Sequence, residues 1–114
     1  MHELSLCQAI VDTVERHRAG GQVRQVNVRI GYLRQVVPDS LLFSWTVMTD
    51  GTDLADSELL IEHVAAVVAC RSCGARTELD RPLLVCRGCE SGDVELLSGE
   101  EFQLVSIDVA EQVR

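Results

Sequence analysis

Between Leu4 and Arg18 the apolar side chains Cys7, Ile10, Val11 and Val14 recur at steps of three and four, with Leu4 and Leu6 beside them. That step is the helical repeat, and it predicts an amphipathic helix with one buried stripe. Arg16, His17 and Arg18 crowd its last turn, where cations suit the negative end of the helix dipole, and Gly20-Gly21 is expected to stop it in the left-handed conformation. The step then changes to two. Val26, Val28 and Ile30 alternate with Gln25, Asn27 and Arg29, which predicts a half-buried strand closed by Gly31. Pro38 suits the first turn of a second helix, where its missing N–H is not needed, and Asp39 and Ser40 are expected to serve the other free amides. Leu41, Leu42, Trp45 and Met48 are expected to line its buried side, and Asp50-Gly51-Thr52-Asp53 to turn the chain after it. Leu59 to Ala69 reads as one largely buried strand and Phe102 to Val109 as another.

Between those strands the pattern lapses. Residues 70–100 hold few large apolar groups, but they hold four of the five cysteines, as Cys70-Arg71-Ser72-Cys73 and Cys86-Arg87-Gly88-Cys89, with twelve residues between the pairs. Two residues between thiolates let a tight turn set both sulfurs on one side of a cation, with amides pointing inward to share their charge. Two such turns complete a tetrahedron of the kind that holds zinc or iron. Zinc is the expected structural occupant, because the segment has no aromatic residue to shield an iron site. The spacer is long enough for a short hairpin, Arg76–Leu79 paired with Leu83–Cys86. Four thiolates leave no open coordination position, so this metal is expected to fold the module and not to catalyse. The fold class is therefore α+β: a small two-helix domain on a three-stranded sheet, residues 1–69 plus 101–114, with an inserted zinc-ribbon module at 70–100. Cys7, on the helical stripe, reads as a small buried side chain.

Charge narrows the partners. Eighteen acidic residues face ten arginines and no lysine, a formal net charge of -8. Nucleic acid is a poor partner for such a chain. The longest apolar run, Val64 to Cys70, is too short to cross a bilayer, and no basic segment followed by an apolar stretch opens the chain. A soluble, cytoplasmic protein without a membrane partner is expected. There is no Gly-rich phosphate loop, no H-E-x-x-H, no G-x-S-x-G and no carboxylate pair with a plausible pocket, so an enzyme is not expected.

The opening Met1-His2-Glu3 has two readings. One is a solvated chain end. The other is a metal grip: a free amine at Met1, the amide nitrogen of His2 and its imidazole can chelate one ion through fused five- and six-membered rings once the amide deprotonates, with Glu3 adding a carboxylate or its own amide. Such nitrogen-rich, near-planar donors favour nickel or copper over zinc. His17 reads as a surface residue complementing the helix dipole, and His63 as a hydrogen-bonded core or edge histidine of its strand.

Taken together, Met1-His2-Glu3-Leu4-Ser5-Leu6 before a helix, the strand, the second helix opening near Val37-Pro38-Asp39-Ser40-Leu41, the stretch Thr49-Asp50-Gly51-Thr52 and the two cysteine pairs resemble the HypA/HybF family along the whole chain. These are nickel metallochaperones of [NiFe]-hydrogenase maturation. The resemblance implies Ni2+ as transferable cargo on His2, assisted by Glu3, and structural Zn2+ on Cys70, Cys73, Cys86 and Cys89. It also implies two partners, the maturation GTPase HypB and the hydrogenase large subunit; some members also feed urease. Some members carry an acidic nickel ligand near the start of the second helix, and here Pro38 stands in that place with Asp39 beside it. The competing class is a zinc-ribbon interaction module whose N-terminus is inert, which fits the cysteines equally well and has no use for the opening tripeptide.

Overall fold

In the computed structural model, which describes residues 2–110, the chain runs through α1 (His2–His17), β1 (Val23–Gly31), a 3-10 turn (Tyr32–Arg34), α2 (Pro38–Thr49), β2 (Glu58–Val64), β3 (Val67–Cys70), β4 (Arg76–Glu78), β5 (Val94–Ser98) and β6 (Phe102–Val109). The strands form two three-stranded sheets, ordered β2-β1-β6 and β4-β3-β5. This is the expected α+β class: two helices, a three-stranded sheet and a separate small sheet around the cysteines. No described helix is long and apolar enough to cross a membrane. Two compact units can be distinguished, one of residues 2–29, 36–62 and 103–110, the other of Ile30–Gln35 and His63–Phe102.

In the first unit α1 and α2 pack on each other. Cys7, Ile10 and Val14 of α1 are buried, as are Leu41 and Trp45 of α2, Val23, Val26 and Val28 of β1, and Leu54 and Leu59. Burying an aliphatic side chain of this size stabilises by about 1.5–3 kcal/mol, so the stripe read from the sequence supplies the driving force for the helix pair. The Trp45 indole N–H donates to Ser57 Oγ at 3.1 Å, which satisfies the one polar atom of that buried ring.

The helix ends differ from expectation. The left-handed residues after α1 are Ala19 (φ 51°) and Gly20 (φ 77°). Gly21 is buried for another reason: a Cβ there would run into the Val109 side chain. At α2 neither Asp39 nor Ser40 caps; Val37 is the N-cap, without a side-chain hydrogen bond, and its carbonyl accepts from the Leu41 amide. Nor do Leu42 and Met48 line the buried side. Ser44 and Thr49 take those places, Leu42 is exposed and Met48 half-buried. The buried Thr49 hydroxyl is satisfied by donating to the Trp45 carbonyl at 2.7 Å.

The segment 59–69 is not one strand. It breaks at Ala65-Ala66: β2 joins the larger sheet, with Leu59 its one buried residue, and β3 becomes the centre of the smaller sheet. The break coincides with a close approach, since a Cβ on Gly99 (φ 120°) would lie 2.5 Å from the Ala66 Cβ. The second unit is built on β3, which pairs antiparallel with β4 (Val68 opposite Thr77) and with β5 (Val68 opposite Leu96), a register irregularity falling between Val67 and Val68. Its small core is Ala66, Val68 and Leu79, with Tyr32, Leu33, Val94 and Leu96 against it. The predicted hairpin is therefore corrected. Arg76–Glu78 pairs with β3, the Leu79 amide continues that line by donating to the Ala66 carbonyl at 2.8 Å, and residues 83–86 form no strand.

Candidate metal centre

Each cysteine pair sits on a turn of the same design. Cys70 donates its amide to the Ala75 carbonyl and Cys86 its amide to the Ser91 carbonyl; the Gly74 amide returns to Cys70 O and the Glu90 amide to Cys86 O, at 3.0 and 2.8 Å. Gly74 (φ 79°) and Glu90 (φ 63°) hold equivalent left-handed positions. A glycine takes this conformation freely, whereas a glutamate is held there against its preference.

The turns bring four sulfurs together. Sγ of Cys70 lies 3.6 Å from that of Cys89, Sγ of Cys73 lies 3.6 Å from that of Cys86, and all four are within 4.8 Å of one another. Zinc–sulfur bonds of about 2.3 Å in a tetrahedron put sulfurs about 3.8 Å apart, so the spacing fits one tetrahedral ion. It is far too long for disulfides, which need about 2.05 Å, and all five cysteines are free thiols. Among the described residues this is the one group of three or more metal-ligating side chains.

The polar environment is already that of a thiolate site. The Cys73 amide points at Cys70 Sγ (3.4 Å) and the Gly88 amide at Cys86 Sγ (3.3 Å). Such donors favour the ionised sulfur: the Cys73 amide first among them lowers the Cys70 thiol, and the Cys89 and Gly88 amides carry Cys86 down to about 6. The second cysteine of each pair behaves oppositely. The Ala75 amide pulls Cys73 down, but the thiols of Cys86 and Cys70 outweigh it; the Ser91 amide pulls Cys89 down, but Cys70, burial and the other sulfurs push it up to about 12. Four like groups this close cannot all ionise without a cation among them.

Cys7 stands apart. It is wholly buried, with Sγ 3.5 Å from the Leu41 carbonyl, and burial, then the charge of Glu3, pushes its thiol up to about 11. Because the folded chain holds this proton more tightly than the unfolded chain, the native state binds more protons between pH 9 and 11. Stability is therefore unaffected by Cys7 below pH 9 and falls as pH rises towards 11. Urea unfolding at stepped pH is expected to show this loss in the wild type and not in Cys7→Ala; identical pH curves would contradict it.

His2 and Glu3 lie within the first turn of α1, which begins two residues earlier than the periodicity places it, with His2 exposed and Glu3 half-buried. They are not gathered with other described ligands, and Met1 lies outside the described residues. His17 is exposed at the end of α1, its Nδ1 2.7 Å from the Thr13 carbonyl. His63 is exposed on β2, an edge strand. Asp39 is exposed in the first turn of α2. Sequence reasoning passed over Arg71 and Arg87, which fasten the two turns to the rest of the module. The signal was present, since an arginine follows the first cysteine of both pairs.

A two-helix α+β unit together with a ribbon-type module that gathers four thiols defines a small protein with a candidate metal centre. A family model described as hydrogenase/urease nickel incorporation, metallochaperone, hypA matches residues 1–109. The chain belongs to the HypA family, and it is thus a nickel metallochaperone of hydrogenase maturation. It is 38% identical to hydrogenase maturation factor HypA of Desulfosudis oleivorans, covering 97% of this chain and 100% of that one. To the protein of the same name from Chlorobium limicola it is 38% identical, over 97% and 98% of the two chains. The fold is that of the Ni metallochaperone HypA from Helicobacter pylori, solved in solution, with a TM-score of 0.66 at 20% identity, covering 98% of this chain and all of that one.

Proposed function

We propose that this chain carries Ni(II) on its opening residues and lends it to the [NiFe]-hydrogenase large subunit, while zinc on Cys70, Cys73, Cys86 and Cys89 braces the second unit. The observation that carries the nickel half is the position of the exposed His2 and the half-buried Glu3 in the first turn of α1. The His2 amide nitrogen lies at the N-terminal end of the helix, where it becomes a donor to the ion once it deprotonates. The imidazole of His2 binds in the same chelate, and the Glu3 carboxylate adds charge. The dipole at a helix N-terminus opposes a cation; the Glu3 carboxylate and a chain charge of -8 offset it. Few ligands in an open setting make a grip a partner can undo, the opposite of a sealed tetrathiolate.

The chain acts as a carrier and not an enzyme. With no phosphate-binding loop of its own, any GTP hydrolysis in delivery falls to the partner GTPase HypB. The direct test is titration of the intact, reduced protein with Ni(II), followed by absorption. About one equivalent is expected to bind, with the nitrogen-rich spectrum of a near-planar site. Indifference to Ni(II) at neutral pH would return the chain to the class of ribbon interaction modules.

A further inference from the structure

We infer that Arg71 and Arg87 are the positioning residues of the sulfur centre, each fastening one cysteine turn to the segment that leaves the other turn, so that two crossed clamps hold the four sulfurs at metal-binding distance. Arg71 follows Cys70. Its amide donates to the Asp93 carbonyl at 3.0 Å, and its Nη1 donates to the Val94 carbonyl at 2.8 Å and to Asp93 Oδ1 at 3.2 Å. Val94 begins β5, the strand that follows Cys89, and Asp93 stands just before it. Arg87 follows Cys86. Its amide donates to the buried Thr77 Oγ1 at 3.1 Å, and its Nη2 donates to the Glu78 carbonyl at 2.8 Å, with Asp80 Oδ1 at 3.6 Å. Thr77 and Glu78 belong to β4, the strand that follows Cys73. The two arrangements are the same device applied twice.

The energetics identify what the device does. Both arginines and their carboxylates are more than half exposed, so the ion pairs themselves contribute little. What remains is geometry: in each clamp the shorter guanidinium contact is to a main-chain carbonyl, and the backbone amide of the same residue makes a second tie nearby. A turn held by both its amide and its side chain cannot swing its thiolates away from the opposite pair. That restraint acts when a competing ligand pries one sulfur loose, the step by which metal leaves a closed site. Outer groups that orient metal ligands govern retention by about 10–100-fold.

The inference rests on the proposed zinc reading, and the experiment separates the two. Metal content of the wild type is measured first, followed by the rate of zinc transfer to a colorimetric chelator and the visible spectrum of the Co(II)-substituted protein. Arg71→Met and Arg87→Met are each expected to release zinc about 10-fold faster or more, with a broadened tetrathiolate cobalt band, while Arg76→Met, an exposed arginine of β4, alters neither. Arg71→Lys and Arg87→Lys keep the charge but not the fork and are expected to restore slow release only in part. A wild type without metal on the four cysteines overturns the zinc reading and the clamp with it. A wild type that holds zinc, with both methionine variants releasing it at the wild-type rate, overturns the clamp alone. Full rescue by lysine assigns the effect to charge and overturns it as well.

Discussion

Replacing His2 with alanine is expected to abolish measurable nickel binding while leaving zinc content, helix content and unfolding behaviour unchanged. The imidazole lies on the exposed side of the first turn of α1, so its removal opens no cavity. Its loss does remove the one aromatic nitrogen of the proposed chelate. Losing an outer partner of a metal ligand already costs about 10–100-fold in affinity, so loss of the ligand itself is expected to exceed about 100-fold, or about 2.7 kcal/mol. Isothermal titration of both proteins with Ni(II), beside elemental analysis for zinc, gives the answer. Nickel affinity unchanged in His2→Ala would remove this residue from the site. A parallel loss of zinc would show that the substitution disturbs the fold and not the chelate alone.

The two sites were legible in the sequence to different degrees, for physical reasons. A C-x2-C pair fixes its own geometry, because a two-residue turn leaves the sulfurs few places to go, and all four thiols lie within 4.8 Å of one another. The helical stripe of α1 was equally plain: Cys7, Ile10 and Val14 are its buried residues. Residues 59–69 were not legible as two strands, since β-branched and aliphatic composition reports burial without naming the sheet, and the close approach of Gly99 to Ala66 at the break between β2 and β3 leaves no local pattern. Pro38 was legible as the opening of α2, which begins there, whereas the cap was not. Asp39 and Ser40 are good capping types, but Val37 precedes Pro38 in extended conformation and takes the cap position. The opening tripeptide is too short to have a period, and its meaning came from resemblance.

Removing zinc is expected to unfold the β3–β4–β5 module while α1 and α2 persist. The core of the second unit consists of Ala66, Val68 and Leu79, with Tyr32, Leu33, Val94 and Leu96 only partly buried against it. A few side chains of this size supply far less than the conformational entropy of ordering the chain around them, whereas a structural zinc contributes about 10 kcal/mol or more. Cys86→Ser provides the sharpest case: that residue is fully buried and its sulfur accepts from the Gly88 amide, so serine loses a ligand and introduces a hydroxyl into a site shaped for a thiolate. Amide exchange protection is expected to vanish in β3, β4 and β5 for both the chelator-treated wild type and Cys86→Ser, and to survive in α1 and at the β1 residues Val26 and Val28. Protection in β3 that persisted without metal would mean that the small apolar cluster suffices and that zinc only trims the turns. If α1 lost protection along with β3, the two units would fold as one, and the division of labour between a nickel-lending terminus and a zinc-braced module would fail.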